Sequence, residues 1–293
     1  MTDIFYPSKL LLFGEHTVLR GSQALAMPLS NYAGRWQFST DKTKQYDLPK
    51  LVEYLENLVK NDKIAFDTEG SFSALERGLF FDSNIPNGYG AGSSGALVAA
   101  LYDIFGLDKS LQTRDLKIIL GKMEGFFHGE SSGLDPLVCY LKKPILIRSD
   151  KTITTLEAVK NDLPRFLIDT KQARKTAPLV ALFLEKIAHS PEFNALISSE
   201  LVPLVDDAIA AFLQNETTFL FETTHKISFF QHRFMPEMIP MAFKNVWLEG
   251  LVGDVYKLKL CGAGGGGFIL GFCKNIEETK KELAKSGFSI IPI

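Results

Sequence analysis

Pro86 to Gly95 reads Pro-Asn-Gly-Tyr-Gly-Ala-Gly-Ser-Ser-Gly, directly ahead of the apolar run Ala96 to Phe105. Glycines leave main-chain N–H groups free to turn toward an anion, and a helix beginning there adds roughly half a positive charge at its N-terminus. Ser93 and Ser94 could cap that helix, bind a phosphate oxygen or reach a metal ion. The stretch therefore reads as a phosphate cradle or as an ordinary capped turn. Three known signatures do not account for it. No lysine follows the loop, so it is not G-x-x-x-x-G-K-[ST]. Gly90, Gly92 and Gly95 fit the dinucleotide spacing G-x-G-x-x-G, but Ser83 to Asn87 is a poor strand to precede it. A protein-kinase loop would need H-R-D and D-F-G downstream, and the chain has neither.

Two further stretches set charged groups among apolar ones. Lys9 opens the run Leu10 to Phe13, which Gly14-Glu15-His16 then ends. Lys9 and Glu15 could form a surface ion pair worth ~0–1 kcal/mol, or either could serve a site. Glu124 stands near the end of a helix, where a carboxylate gains nothing from the helix dipole unless a cation is close. Asp135 follows the small-residue turn Ser131-Ser132-Gly133 and should precede a strand. Gly129 to Gly133 also spells G-x-S-x-G, which raises a serine hydrolase with Ser131 as nucleophile, a later aspartate and His225. That elbow requires a strand before the serine and a helix after it, whereas the pattern here reads helix, then strand. Gly262 to Gly267 forms a second glycine cluster.

These residues need a framework, and the composition supplies one. The 293 residues are 46% hydrophobic and 23% charged, enough for a folded core and a prior of about two domains at ~150 residues each. Thirty-two basic residues against 34 acidic ones give a net charge of −2, so bulk electrostatics predict no nucleic-acid or anionic-membrane partner. No apolar run approaches the ~18 residues needed to span a bilayer. Cys139, Cys261 and Cys273 lie far apart, as expected of reduced thiols in a cytoplasmic protein.

Strands are expected at Ser8–Phe13, Ala33–Thr40, Val138–Leu141, Pro144–Ile147, Arg165–Asp169, Lys257–Cys261, Phe268–Cys273 and Phe288–Ile291. Helices are expected at Leu48–Asn61, Ala96–Phe105, from Thr113, several between Pro178 and Glu249, and Ile276–Ser286. The mixture lacks regular βαβ alternation and reads as α+β. The polar break near Asn161 suggests two domains, 1–161 and 162–293.

Taken in order, four segments resemble the GHMP kinases, and within them the mevalonate kinase branch: Pro7 to Gly21; Pro86 to Ala96, matching P-x-x-x-G-x-G-S-S; His128 to Asp135, matching H-G-x-x-S-G-x-D; and Gly262 to Gly267, matching G-A-G-x-G-G. The resemblance implies a two-domain fold, an N-terminal domain like domain 2 of ribosomal protein S5 and a ferredoxin-like C-terminal domain. It implies ATP as co-substrate, cradled by Gly88, Tyr89, Gly90, Ala91, Gly92, Ser93, Ser94 and Gly95. Ser94 and Glu124 would hold Mg²⁺. Asp135 would be the base or orient the acceptor hydroxyl, with Lys9 stabilising charge, Glu15 and His16 in the acceptor pocket, and Gly262, Ala263 and Gly264 supporting the nucleotide site.

The implied reaction is transfer of the γ-phosphate to a small alcohol, mevalonate first, giving 5-phosphomevalonate. Phosphomevalonate or sugar kinases, a diphosphomevalonate decarboxylase and a non-catalytic nucleotide-binding module are the alternatives, with a monomer or homodimer expected. Four positions depart from the family pattern: Ser8 replaces glycine, Cys261 threonine or serine, Gly125 a larger residue, and Pro136 the frequent asparagine.

Overall fold

The computed structural model describes residues 4–173 and 176–293. The chain begins with β1 (Tyr6–Phe13), β2 (Ala24–Phe38), α1 (Leu48–Lys60), α2 (Thr68–Glu76) and β3 (Leu79–Ser83). Helices α3 (Ser93–Phe105), α4 (Thr113–His128) and α5 (Leu134–Leu141) follow, then β4 (Ile145–Ile147), β5 (Ile153–Thr155) and β6 (Arg165–Asp169). Next come α6 (Thr176–His189), α7 (Pro191–Leu196), α8 (Val202–Leu213), α9 (Thr217–Phe234) and α10 (Lys244–Val252). The chain ends with β7 (Tyr256–Leu260), β8 (Phe268–Cys273), α11 (Ile276–Lys285) and β9 (Ile290–Pro292).

Two compact units emerge, interleaved along the sequence. The first comprises residues 1–10, 27–86 and 91–143. The second comprises 11–26, 87–90 and 144–293, so the break expected at 161 falls inside its continuous part. Residues of β1 and β2 are divided between the two units. They belong to a five-stranded sheet of order β1-β2-β4-β5, with β3 paired antiparallel to the far half of β2 from Gly34↔Ser83 to Phe38↔Leu79. The second unit holds a four-stranded antiparallel sheet of order β7-β8-β6-β9.

Local patterning accounts for most elements. In α1 the apolar stripe Leu51, Val52, Leu55 and Leu58 is buried, and Pro49 occupies the first turn, where a missing N–H costs nothing. Helix α3 is apolar on nearly all sides because it is buried on nearly all sides; Ala96, Val98, Ala99, Ala100 and Leu101 are all inaccessible. Helix α4 is amphipathic and turns Leu116, Leu120 and Met123 inward, with Glu124 on the same buried side.

The strand expected at Val138–Leu141 is instead part of α5. Its apolar run is too short for periodicity to separate strand from buried helix. The deciding signals stand upstream: Gly133 in the left-handed region at φ 71°, Asp135 in the first turn, and Pro136 where proline is tolerated. Asp135 thus lies within a helix instead of preceding a strand. Other boundaries shift less. Strand β2 extends well before the expected Ala33, and β9 starts at Ile290 instead of Phe288. Ser8 is fully buried and donates to Leu29 O at 2.9 Å, so its buried hydroxyl is satisfied.

Candidate active site

In the first unit, strand β1, the loop ahead of α3, the end of α4 and the start of α5 converge. Lys9 N–H donates to Ala91 O at 2.8 Å, which fixes β1 against the glycine loop. Lys9 is only 7% exposed, and its ammonium lies 2.8 Å from Asp135 Oδ1. This pairing, not the Lys9–Glu15 contact considered from sequence, neutralises the lysine. Helix α3 can approach α5 closely because position 95 is glycine: a Cβ there would sit 2.9 Å from Asp135 C and Pro136 N.

Neither serine of the loop caps α3. The N-cap is Gly92 at φ 77°, with no side-chain cap. Ser94 instead donates to Glu124 Oε1 at 2.9 Å and lies 3.2 Å from His128 Nε2. Ser131 donates to the other carboxylate oxygen of Glu124. Glu124 is 3% exposed. Burial, and then the negative charge of Asp135, raise its pKa to about 7, against the lowering effects of Ser131, Ser94 and Lys9. A buried carboxylate beside a second carboxylate is an environment that a cation would relieve.

The oxygen donors Ser94 and Glu124 fit Mg²⁺, which binds through one or two carboxylates together with phosphate oxygens. Among the described residues no group of three or more His, Cys, Asp or Glu could hold a metal alone. Burial, and secondarily Asp135, push the Cys139 thiol well up, so it stays protonated beside this cluster.

The hydrolase reading fails on local structure. Helices flank Ser131 on both sides, no strand precedes it, and its hydroxyl is committed to Glu124. The dinucleotide reading fails differently. A strand does end at Ser83, which the sequence did not suggest, but β3 pairs antiparallel with β2 and forms no parallel βαβ unit.

The second unit carries the remaining motif residues. Glu15, 5% exposed, is ion-paired with Lys259, which is fully buried and also donates to Leu12 O at 2.9 Å and Leu260 O at 2.7 Å. Gln231 Nε2 donates to Glu15 Oε1 at 3.4 Å, while Gln231 Oε1 accepts from Leu260 N–H at 2.9 Å. Glu15 Oε2 is buried with no hydrogen-bond partner among the described residues. His16 Nε2 lies 3.2 Å from Ala263 O. Tyr89 packs its ring 5.2 Å from that of Phe268, and a Cβ at Gly267 would stand 2.5 Å from Tyr89 O. Residues 87–90 thus meet the 262–267 loop inside this unit. Lys259 and Gln231 were missed from sequence; a lysine inside the apolar strand Tyr256–Leu260 was the available signal, since lysine is rarely buried without a partner.

Lys9, Ala91, Gly92, Ser93, Ser94, Gly95, Glu124 and Asp135 therefore belong to the first unit. Glu15, His16, Gly88, Tyr89, Gly90, Gly262, Ala263 and Gly264 belong to the second.

A helix-capped glycine loop beside two carboxylates and a lysine, on an α+β frame, defines a class that comparison with other proteins makes explicit. Residues 50–143 match the family described as GHMP kinases N terminal domain. The match covers about a third of the chain, and the chain as a whole has the fold of the GHMP kinase structures described below. It is 28% identical over 246 residues to the mevalonate kinase of Pyrococcus abyssi, covering 73% of this chain and 71% of that protein. Against the mevalonate kinase of Pyrococcus horikoshii the identity is 28% over 233 residues, 69% of this chain and 67% of the other.

Among solved structures, L. major mevalonate kinase in complex with R-mevalonate superposes with TM-score 0.64 at 18% identity, over 96% of this chain and 90% of that one. Streptococcus pneumoniae phosphomevalonate kinase in complex with phosphomevalonate and AMPPNP gives 0.68 at 16%, over 99% of each chain. Lactococcus lactis galactokinase complexed with galactose gives 0.65 at 16%, over 99% of this chain and 91% of that one.

Proposed function

We propose that this protein is an ATP-dependent kinase that transfers the γ-phosphate to the hydroxyl of a small molecule, with mevalonate as acceptor and 5-phosphomevalonate as product. The observation that carries the reading is the 2.8 Å Lys9–Asp135 pair beside the Ser94–Glu124 pair, at the start of a helix preceded by a glycine loop. Similarity to curated mevalonate kinases supports the choice of acceptor.

The roles follow from placement. The N–H groups of the loop and the N-terminus of α3 take the phosphates. Asp135 orients the acceptor hydroxyl and takes its proton as the new O–P bond forms and the bond from the γ-phosphorus to the β,γ-bridging oxygen breaks. Lys9 holds Asp135 in place and offsets the negative charge gathering around it. Ser94 and Glu124 would hold Mg²⁺, which when bound neutralises charge on the phosphate oxygens. Such a reaction depends on positioning and charge more than on covalent catalysis, so this set of side chains suffices.

Because the fold also matches phosphomevalonate kinase and galactokinase structures, the acceptor has to be tested directly. A coupled assay with ATP and Mg²⁺ against mevalonate, its phosphate and several sugars should show turnover on mevalonate alone. Turnover on a sugar only, or on phosphomevalonate only, would displace the proposed acceptor. Absence of ATP consumption with every alcohol would displace the kinase.

A further inference from the structure

Ser131 occupies one of the open positions of the block H-G-x-x-S-G-x-D; the serine written into that block is Ser132. Ser132 is exposed and accepts from Leu134 N–H at 3.3 Å. Ser131 does more. Its hydroxyl donates to Glu124 Oε2, and its oxygen accepts from Gly133 N–H at 3.0 Å. Gly133 is the N-cap of α5, and Asp135 stands in the first turn of that helix with its Oδ1 on Lys9. Ser94 takes the other oxygen of Glu124. The Glu124 carboxylate is therefore gripped at both oxygens by hydroxyls, one from α3 and one from the turn that aims Asp135.

Geometry makes the grip tight. A Cβ at Gly133 would lie 2.0 Å from Lys117 O, and one at Gly121 would lie 3.0 Å from Ser131 O, so this turn runs directly against α4. A single hydroxyl, using its donor and its acceptor at once, links the side chain read as the metal carboxylate to the backbone that carries the base.

We infer that Ser131 is a positioning residue. It sets the plane of the Glu124 carboxylate and locks it to the Asp135 turn, so that metal binding and base placement are coupled through one side chain. This rests on the reading of Ser94 and Glu124 as the Mg²⁺ site. Partners that orient a metal ligand are typically worth 10–100-fold in metal affinity.

The test is Mn²⁺ titration, followed by electron paramagnetic resonance, of the protein with AMPPNP. Ser131→Ala should raise the Mn²⁺ dissociation constant about 10-fold. Ser131→Thr, which keeps the hydroxyl, should return it to within a few-fold of the wild-type value. AMPPNP affinity measured in chelator should stay nearly unchanged in both variants. In the metal-free alanine variant, the Gly133 amide should exchange its hydrogen faster than in wild type.

Wild-type Mn²⁺ affinity in the alanine variant would overturn the inference, as would equal weakening by alanine and threonine. A loss of AMPPNP affinity in chelator as large as the loss with metal would also overturn it, since that marks a merely structural serine. A wild-type protein that turns over ATP yet holds no Mn²⁺ with AMPPNP would remove the metal site itself and the serine's role with it.

Discussion

At the scale of single residues, the site is a balance of charges in a confined space. Lys9 is paired with Asp135, while Glu124 lies buried and accepts from the hydroxyls of Ser94 and Ser131. Asp135→Asn should keep the shape and lose the proton acceptor, lowering turnover by at least ~100-fold with ATP affinity largely retained. Near wild-type turnover would show that the aspartate has another role. Lys9→Met should cost ~10²–10³-fold in turnover, the scale of a lost electrostatic contact to developing charge.

Glu124 makes a prediction about stability. Its folded pKa of about 7 exceeds the ordinary 4.5, so between these values the folded state holds a proton that the unfolded chain has released. The stability it contributes is fully present below the lower value and is lost as pH rises through the upper one. In chelator-treated protein, Glu124→Gln should therefore melt at an increasing advantage over wild type between about pH 5 and about pH 8. A melting difference that does not change with pH would contradict this.

At the scale of elements, close helix contacts and one internal ion pair do the positioning. Helices α3 and α5 meet at Gly95, and a methyl group there would press on the backbone that carries Asp135. Gly95→Ala should destabilise by ~1–3 kcal/mol, the range for overpacking, with a lower melting temperature and lower turnover together. In the second unit, Lys259 and Glu15 form a buried pair that ties the Gly14–His16 turn to strand β7. Lys259→Met leaves the Glu15 charge uncompensated and should cost ~3–5 kcal/mol in urea denaturation. The double variant with Glu15→Gln should recover part of that loss, because it removes the orphaned charge. Additive losses would mean that the pair is not coupled.

At the scale of the whole molecule, the metal should belong to the reaction and not to the fold. Among the described residues no side-chain cluster could bind a metal by itself. A chelator should abolish phosphoryl transfer while leaving circular dichroism unchanged, and Mg²⁺ should restore turnover. Unfolding in chelator would place a structural metal somewhere in the chain.

How much of this could be read from the linear chain varies with the kind of information. Amphipathic spacing located α1 and the start of α4, and β6 and β8 matched their expected bounds. The same spacing failed for α5, where a short apolar run carries no periodic signal and only Gly133, Asp135 and Pro136 marked a helix start. The motifs singled out Lys9, Ser94, Glu124 and Asp135; Lys9 pairs with Asp135 and Ser94 with Glu124, and their role as a catalytic site is the proposal made above.

Sequence alone determined the periodicities, the glycines and the charged residues set among apolar ones, because each of these is a local property of backbone and side chain. The tertiary structure alone decided which charges pair: Lys9 with Asp135 instead of Glu15, Glu15 with Lys259, and Ser131 with Glu124 instead of with a substrate. A pairing between distant segments is fixed by where packed helices and strands bring them, and no spacing along the chain encodes that distance.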